Sequence, residues 1–152
     1  MKKIILTLLT LIVLFTIADE LHVSPIKVSN EAEAAVYRNP IKYKAANYYS
    51  WGSCVYYAFN RRAQMGRYVS NRWGNARNWA TNAARSGYTV RRKPVYGSVM
   101  VSKSGYYGHV AVVERVYKNG NILVSEMNFP RQGVKTYRTV YRSNVSSYQY
   151  IY

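Results

Sequence analysis

An Asn-Gly dipeptide between two runs rich in β-branched residues is the feature that most restricts how this chain can fold. Asn119 and Gly120 separate residues 109–117 from residues 122–128. Asn-Gly favours a tight turn whose twist matches that of two paired antiparallel strands. The pattern therefore predicts a β-hairpin and, with it, an antiparallel sheet. Shorter runs of the same kind predict further strands at residues 88–90, 98–102, 137–141 and 148–151.

The segment that precedes these runs has the periodicity of helices. In residues 53–65, side chains of one face recur every three to four positions, Ser50 or Ser53 can cap the start, and Gly66 stands where helices commonly stop. The same spacing, with Trp79 and Ala83 on one face and Gly87 after the end, predicts a second helix at residues 75–86. Helices followed by an antiparallel sheet predict an α+β domain in which the N-terminal helices pack on the sheet.

The N-terminus has the pattern of a leader. Lys2 and Lys3 precede residues 4–18, a run of 15 residues in which only three threonines interrupt the apolar side chains. A membrane-spanning helix needs about 20 apolar residues, so the run fits a secretory signal, cleaved after Ala34 in an A-x-A pattern. An uncleaved N-terminal anchor is the alternative. We expect a signal peptide at residues 1–34, a lead-in segment at residues 35–46 and one domain at residues 47–152.

The charge of the chain indicates its partners. The sequence has 22 Lys and Arg against 6 Asp and Glu, and residues 35–152 keep 19 basic and two acidic residues, a net charge of +17. A secreted protein this basic attracts polyanions non-specifically. We therefore expect anionic cell-wall polymers as partners, with a merely solvated basic surface as the alternative. No nucleic-acid motif is present, so we expect no specific nucleic-acid partner, and we expect a monomer.

Few side chains after the leader can perform acid–base or nucleophilic chemistry. Residues 35–152 contain one cysteine, Cys54, and one histidine, His109. A lone cysteine is buried and inert, paired with another chain, or reactive. Cys54 falls in the first turn of the predicted helix, where the partial positive charge of the helix terminus favours a thiolate. A cysteine nucleophile needs a base, and His109 is the only histidine after the leader that can serve it.

The predicted hairpin distinguishes between the two glutamates. With a two-residue turn, Glu126 and Asn128 point to the same face as His109, whereas Glu114 points to the other face and is assigned a salt bridge. Ideal geometry places Asn128 diagonal to His109, at about 7–8 Å, and Glu126 further along. Contact between Glu126 and His109 would then need strand twist or a bulge, and a one-residue slip would reverse the faces. A solvated strand position is the alternative for Glu126.

Together these residues resemble the CHAP domain, a papain-like family of bacterial cell-wall amidases and peptidases, and within it the staphylococcal secretory antigen type. The similarity extends over residues 47–152. It depends on four blocks in the same order as in the family: residues 47–54 (Asn-Tyr-Tyr-Ser-Trp-Gly-Ser-Cys), 69–76 (Val-Ser-Asn-Arg-Trp-Gly-Asn-Ala), 108–111 (Gly-His-Val-Ala) and 125–128 (Ser-Glu-Met-Asn).

The resemblance implies a secreted, wall-associated peptidoglycan hydrolase. It would cleave amide bonds, either the N-acetylmuramoyl-L-alanine bond or bonds of the stem peptide or cross-bridge. Cys54 would be the nucleophile, His109 the base and Glu126 the carboxylate that orients it, with Asn128 nearby. The alternative is a catalytically weak wall-binding or antigenic module on the same fold. A third possibility is a cationic protein that damages membranes by charge alone.

The chain departs from the family pattern in two places. Ser53 stands where the family has a Gln that contributes to the oxyanion hole, so the expected donors are the Ser53 hydroxyl and the Cys54 N–H. Loss of one oxyanion donor can cost about a hundred- to a thousandfold in rate. Some relatives carry an acidic calcium loop before the cysteine, but the matching residues 42–47 contain no acidic side chain, so we expect no calcium. We also expect no other metal and no cofactor. The expected substrate-groove residues are the aromatic side chains Trp51, Tyr106 and Tyr107.

Overall fold

The computed structural model describes residues 39–152. The predicted signal peptide and residues 35–38 of the lead-in segment lie outside this range. The described helices are α1 (Cys54–Gln64), α2 (Trp79–Arg85) and α3 (Arg142–Val145), with a 3-10 turn at Ala76–Asn78 directly before α2. The strands are β1 (Val90–Arg91), β2 (Val99–Ser102), β3 (His109–Val116), β4 (Ile122–Met127), β5 (Lys135–Val140) and β6 (Gln149–Ile151).

The strands form one six-stranded antiparallel sheet in the order β1-β6-β2-β3-β4-β5. On one face, a core that includes Phe59 of α1 and Trp79 of α2 extends to Val112 of β3. Val113 of β3 belongs to a second core, together with Ile122 of β4. The predicted α+β class is confirmed. Within residues 39–152, no helix is both long enough and apolar enough to cross a membrane.

Helix α1 begins at Cys54 because the residue before it is a cap. The Ser53 hydroxyl accepts a hydrogen bond from the Tyr56 N–H at 3.2 Å, which satisfies one of the unpaired donors of the first turn. Ser53, and not Ser50, is therefore the cap. Beyond the other end of the helix lies Gly66, with φ +67°, a backbone conformation that glycine adopts without strain.

The second predicted helix is divided into two parts. The 3-10 turn comes first because the Asn78 N–H donates to the Asn75 carbonyl at 2.9 Å, and the Arg77 N–H donates to the Tyr107 carbonyl at 2.9 Å. The latter bond connects this turn to the loop that precedes β3. Regular α-helix then begins at Trp79, which is fully buried.

The hairpin between β3 and β4 has a longer loop than the Asn-Gly dipeptide predicts. The Tyr117 N–H donates to the Asn121 carbonyl at 2.9 Å, and the Gly120 N–H donates to the Tyr117 carbonyl at 3.0 Å, with Gly120 at φ +85°. The loop therefore has three residues, a type I turn followed by a left-handed glycine. As a result, Ile122 pairs with Val116 and not with Tyr117, a shift of one residue.

A bulge at Glu114 shifts the pairing by one further residue. Arg115 pairs with Leu123, whereas Val113 pairs with Val124. A single shift would turn every inward side chain outward, but two shifts restore the predicted faces. The predicted pairing of Val113 with Glu126 is therefore wrong, although the predicted face of Glu126 is right.

The bulge residue Glu114 makes the salt bridge that its predicted face indicates. Its carboxylate accepts hydrogen bonds from Arg61 Nε and Nη2, both at 2.7 Å, and from Ser125 Oγ at 2.5 Å. Arg61 lies on α1, so this ion pair connects the helix that begins at Cys54 to the hairpin.

Candidate active site

Cys54 is placed by the start of α1 against the start of β3. The residue is buried, with 7% of its surface exposed. The sulfur lies close enough to the His109 imidazole and to the backbone N–H groups of Val110 and Val55 for all three to lower its pKa. The structure thus brings together the lone cysteine and the lone histidine of the described residues, as predicted.

His109 is held in place by the tight loop before β3. The Arg77 guanidinium donates from Nη1 to the Tyr106 carbonyl at 2.8 Å, next to the backbone bond between Arg77 and Tyr107. Gly108 has φ +72°, and a Cβ there would lie 2.5 Å from Arg77 N and 2.7 Å from Ser102 O. No residue with a side chain fits at Gly108 unless backbone moves.

We expect Gly108→Ala to destabilise the protein far more than Gly105→Ala. Gly105 has a similar φ of +73°, but nothing lies within 4 Å of the point that a Cβ would occupy, so Gly105→Ala costs only the left-handed backbone, about 1–2 kcal/mol. Gly108→Ala adds overpacking against backbone, typically about 1–3 kcal/mol more. Thermal unfolding measures both, at roughly 4–8 °C per kcal/mol for a domain of this size. Equal melting temperatures for the two variants would contradict the predicted clash.

Glu126 is the carboxylate that meets His109. His109 Nε2 lies 2.9 Å from Glu126 Oε2, and the Glu126 side chain is fully buried. The register explains the contact: because Val112 pairs with Ser125, the next pair along the strands places Glu126 opposite Ala111, diagonal to His109. With Nε2 engaged by Glu126, Nδ1 is the ring nitrogen that remains for the Cys54 thiol.

Asn128 does not occupy the position that ideal hairpin geometry predicts. It is exposed, lies beyond the end of β4, and has φ +64°, a left-handed conformation that asparagine tolerates better than most residues. The two shifts in the hairpin move Glu126 into the diagonal position that was predicted for Asn128. The relative distances to His109 were therefore predicted wrongly, and a catalytic role for Asn128 stays a prediction.

The electrostatics of the three groups favour a thiolate–imidazolium pair. Burial is the largest influence on the Cys54 pKa and raises it, but the hydrogen bond and charge of His109, with two backbone N–H groups, outweigh burial and lower it. Burial likewise lowers the His109 pKa, yet the bonds to Cys54 and Glu126 raise it to about 9. Burial raises the Glu126 pKa, and His109 and Arg138 together bring it below its ordinary value.

These shifts predict that Cys54 reacts with iodoacetamide at a lower pH than an ordinary thiol does. A free thiol titrates near pH 8.5, whereas Cys54 should remain thiolate in a window that extends to lower pH, because its pKa is lowered while that of His109 is raised. The rate is followed by mass spectrometry, since residues 35–152 contain no other thiol. The same protein in urea is the control and should titrate near pH 8.5. A midpoint in the folded protein at or above that of the control would contradict the prediction.

Ser53 is not available as an oxyanion donor in this structure. Its hydroxyl proton is donated to the Ser50 carbonyl at 2.7 Å, and its oxygen accepts the capping bond from Tyr56. The Cys54 N–H lies at the first helical position, where a backbone donor has no intrahelical acceptor. The oxyanion role predicted for the Cys54 N–H is compatible with this geometry, whereas that of Ser53 would require its bond to Ser50 to break.

The three aromatic residues predicted for a substrate groove are exposed beside the site. Trp51 is 68% exposed, Tyr106 79% and Tyr107 62%. Trp51 is held by the loop after β4, because Gln132 Nε2 donates to the Trp51 carbonyl at 2.8 Å. Tyr106 and Tyr107 stack edge to face on the loop before His109. Their function in binding stays a prediction.

Two residues near the site were missed in the sequence. Arg138 donates from Nε to Glu126 Oε1 at 2.8 Å and from Nη2 to Oε2 at 3.1 Å. The Phe129 ring lies 5.8 Å from the His109 ring and 5.5 Å from Arg138 Cζ. Arg138 pairs with Val124, two residues before Glu126, so a correct register for β5 would have placed it on the face of Glu126.

The described residues offer no obvious metal site. In the range 39–152, no three His, Cys, Asp or Glu side chains are grouped so that they could hold an ion. The expectation of no metal and no cofactor stays a prediction.

The fold and the site together define a class of protein. A cysteine at a helix N-terminus, next to a histidine that contacts a buried carboxylate on an antiparallel sheet, is an arrangement that can support nucleophilic cysteine chemistry. The chain belongs to the CHAP domain family, whose family model matches residues 44–128. The resemblance noted in the sequence is thereby confirmed.

Three proteins similar to this chain come from staphylococci. The chain is 49% identical over 125 residues to "N-acetylmuramoyl-L-alanine amidase sle1" of Staphylococcus saprophyticus, covering 82% of this chain and 38% of the relative. It is 48% identical over 117 residues to the protein of that name in Staphylococcus aureus strain USA300, covering 76% and 35%. A crystal structure of N-acetylmuramoyl-L-alanine amidase from Staphylococcus aureus superimposes with a TM-score of 0.64 at 34% identity, covering 66% of this chain and 30% of that one. The chain therefore spans well under half the length of these relatives.

Proposed function

We propose that this chain is a secreted peptidoglycan hydrolase that cleaves amide bonds with Cys54 as nucleophile. The observation that carries the proposal is the line of contacts from the Cys54 thiol through His109 to the buried carboxylate of Glu126. The names of the relatives favour the N-acetylmuramoyl-L-alanine bond over bonds of the stem peptide or cross-bridge. We also propose the organisation expected from the sequence: a signal peptide at residues 1–34, a lead-in at residues 35–46 and the CHAP domain at residues 47–152.

The proposed mechanism is acyl transfer in two steps. The Cys54 thiolate attacks the carbonyl carbon of the amide, and the negative oxygen that forms is stabilised by the Cys54 N–H. His109 gives its proton to the nitrogen of the leaving amine, and the C–N bond breaks to leave a thioester. His109, now neutral, takes a proton from water, which attacks the thioester and releases the carboxylic acid and the thiolate. Glu126 remains ionised throughout and holds the imidazole.

A second candidate function is a catalytically weak wall-binding module on the same fold. One observation favours it: the Ser53 hydroxyl, in the position of an oxyanion donor, is committed to Ser50. A module of this kind would sediment with purified walls and release no fragments from them, whereas a hydrolase would bind the walls and release fragments.

The function is tested by digestion of purified staphylococcal peptidoglycan, followed by mass spectrometry of the soluble products. Cleavage of the N-acetylmuramoyl-L-alanine bond releases peptides with a new free L-alanine amino group, and cleavage within the peptides leaves that alanine attached to muramic acid. Product sets with neither change, at protein concentrations that bind the wall, would contradict the proposal and support the binding module.

We propose cell-wall association through charge as well as through substrate. The two glutamates of residues 39–152 are each bonded to an arginine, Glu114 to Arg61 and Glu126 to Arg138, and residues 35–152 keep a net charge of +17. Anionic wall polymers are the proposed partners of this surface. Binding of nucleic acid in vitro would follow from the same charge and would weaken steeply with salt. The proposed state in solution is a monomer.

A further inference from the structure

Burial of the Glu126 carboxylate removes a charged group from water, which is unfavourable in free energy. Its side chain is fully buried, and a buried carboxylate is stable as an anion only when it is paired and hydrogen-bonded. His109 supplies one bond, at 2.9 Å to Oε2. A histidine that acts as an acid and a base must lose its charge during the reaction, so it cannot be the permanent partner of this anion.

Arg138 supplies that permanent partner. Nε and Nη2 of its guanidinium donate to the two oxygens of Glu126, at 2.8 and 3.1 Å. An arginine keeps its charge at every pH relevant to proteins, and its planar fork determines the orientation of the carboxylate as well as its charge. Oε2 thereby accepts hydrogen bonds from both Arg138 and His109. The orientation that Arg138 gives the carboxylate therefore also sets the direction of its bond to His109.

Aromatic side chains lie close to this pair. The Phe129 ring packs near both Arg138 and His109. Tyr148, in the segment before β6, lies close enough to Arg138 to help raise its pKa. The charged or titratable groups that contact Glu126 itself are His109 from β3 and Arg138 from β5.

We propose that Arg138 is a positioning residue of the hydrolase: it keeps Glu126 ionised and correctly oriented while His109 passes between its charged and neutral forms. The inference depends on the proposed function for its meaning in catalysis. Its physical content, that Arg138 controls the Glu126–His109–Cys54 line, can be measured without the wall substrate.

The test compares Arg138→Gln and Arg138→Lys with the matched control Arg61→Gln. Arg61 makes the same two-pronged bond to the other glutamate, Glu114, whose remaining hydrogen bond comes from Ser125. Each variant is assayed for solubilisation of purified peptidoglycan and for alkylation of Cys54 by iodoacetamide, both as a function of pH. Thermal unfolding establishes the temperature below which each variant is folded.

Arg138→Gln should lower the rate of wall solubilisation at pH 7 by about 10–100-fold, the usual effect of removing a partner that orients a functional group. It removes a positive charge while the burial of Glu126 remains, so the acidic limb of the pH profile should move to higher pH. The alkylation profile should move the same way, by about one pH unit, or tenfold less thiolate at a fixed pH on the limb. Arg138→Lys keeps the positive charge and loses the planar two-bond geometry. The acidic limb should therefore stay at its wild-type pH, while only part of the wild-type rate should be recovered. Arg61→Gln should move neither limb.

The outcomes separate this inference from the proposed function. Suppose that the wild type solubilises no wall, and that Arg138→Gln shifts the alkylation profile of Cys54 whereas Arg61→Gln does not. The proposed hydrolase function is then wrong, and the inference that Arg138 controls the site is supported. If folded Arg138→Gln and Arg61→Gln both keep the wild-type alkylation profile, the inference is overturned, whatever the activity on walls.

Discussion

Replacing Cys54 by alanine should abolish the release of peptidoglycan fragments, with a loss of about 10⁴-fold or more in rate. Removal of a nucleophile from a nucleophile–base–carboxylate unit leaves only the small acceleration that comes from binding and oxyanion stabilisation. The fold should tolerate the change, because the sulfur is a small group at the start of α1, and the Ser53 cap does not involve it. Fragment release is measured by mass spectrometry of the soluble products.

Cys54→Ser is the control for this prediction. It keeps a side chain of similar size and a hydrogen-bonding atom, but a hydroxyl does not ionise at neutral pH and should be nearly as inactive as alanine. Wall binding should survive in both variants, since the basic surface is unchanged. Activity equal to that of the wild type would exclude the cysteine mechanism, and lysis that persists in Cys54→Ala and fades with salt would support damage by charge alone.

Replacing Glu126 by glutamine should lower the rate by about 10⁴-fold, the loss seen when the carboxylate of such a unit becomes an amide. The amide has no negative charge to stabilise the imidazolium, so the His109 pKa should fall from about 9 towards its ordinary value. The Cys54 pKa should rise in consequence, because the imidazolium holds it down. The pH dependence of Cys54 alkylation measures this change directly.

Glu126→Gln should also change how stability depends on pH. The Glu126 pKa is lowered in the folded protein. The carboxylate therefore contributes stability above its unfolded pKa, near 4.3, that is lost as the pH falls through the folded value. The variant lacks this contribution. Its loss at neutral pH should be smaller than the 3–5 kcal/mol or so expected for a fully buried pair, because the Arg138 side chain is 32% exposed and regains water.

Glu114→Gln is the matched control, since Glu114 is the other glutamate of the described residues and is also bonded to an arginine. It too should lose stability at neutral pH, but it should keep the alkylation profile of Cys54 and most of the activity. If Glu114→Gln and Glu126→Gln reduced activity equally, with unchanged alkylation profiles, Glu126 would have only a structural role.

Most of the architecture could be predicted because local patterns decide it. The spacing of residues 53–65 and the cap and glycine around them predict α1 to within one residue at each end. Alternation and the Asn-Gly turn predict the strands and their antiparallel order along β3 and β4. Helix periodicity, capping and turn chemistry act over a few residues, so the chain carries their signals in adjacent positions.

The distances within the site could not be predicted in the same way. An extra loop residue at Lys118 and a bulge at Glu114 each shift the strands by one position, and either shift alone would have turned Glu126 away from His109. No local signal specifies the bulge: Glu114 adopts it where its carboxylate meets Arg61 and Ser125, which are 53 and 11 positions away.

Sequence by itself determined which groups were available for chemistry: one thiol, one imidazole and two carboxylates after the leader, with Cys54 at a helix start. Tertiary structure decided which of them meet. It placed His109 between Cys54 and Glu126, assigned the Ser53 hydroxyl to the helix cap, and added Arg138, which no motif marks. The physical reason is that a residue type sets what a side chain can do, whereas hydrogen bonds and ion pairs act over about 3 Å, so shifts of a single residue in strand pairing decide which side chains come close enough.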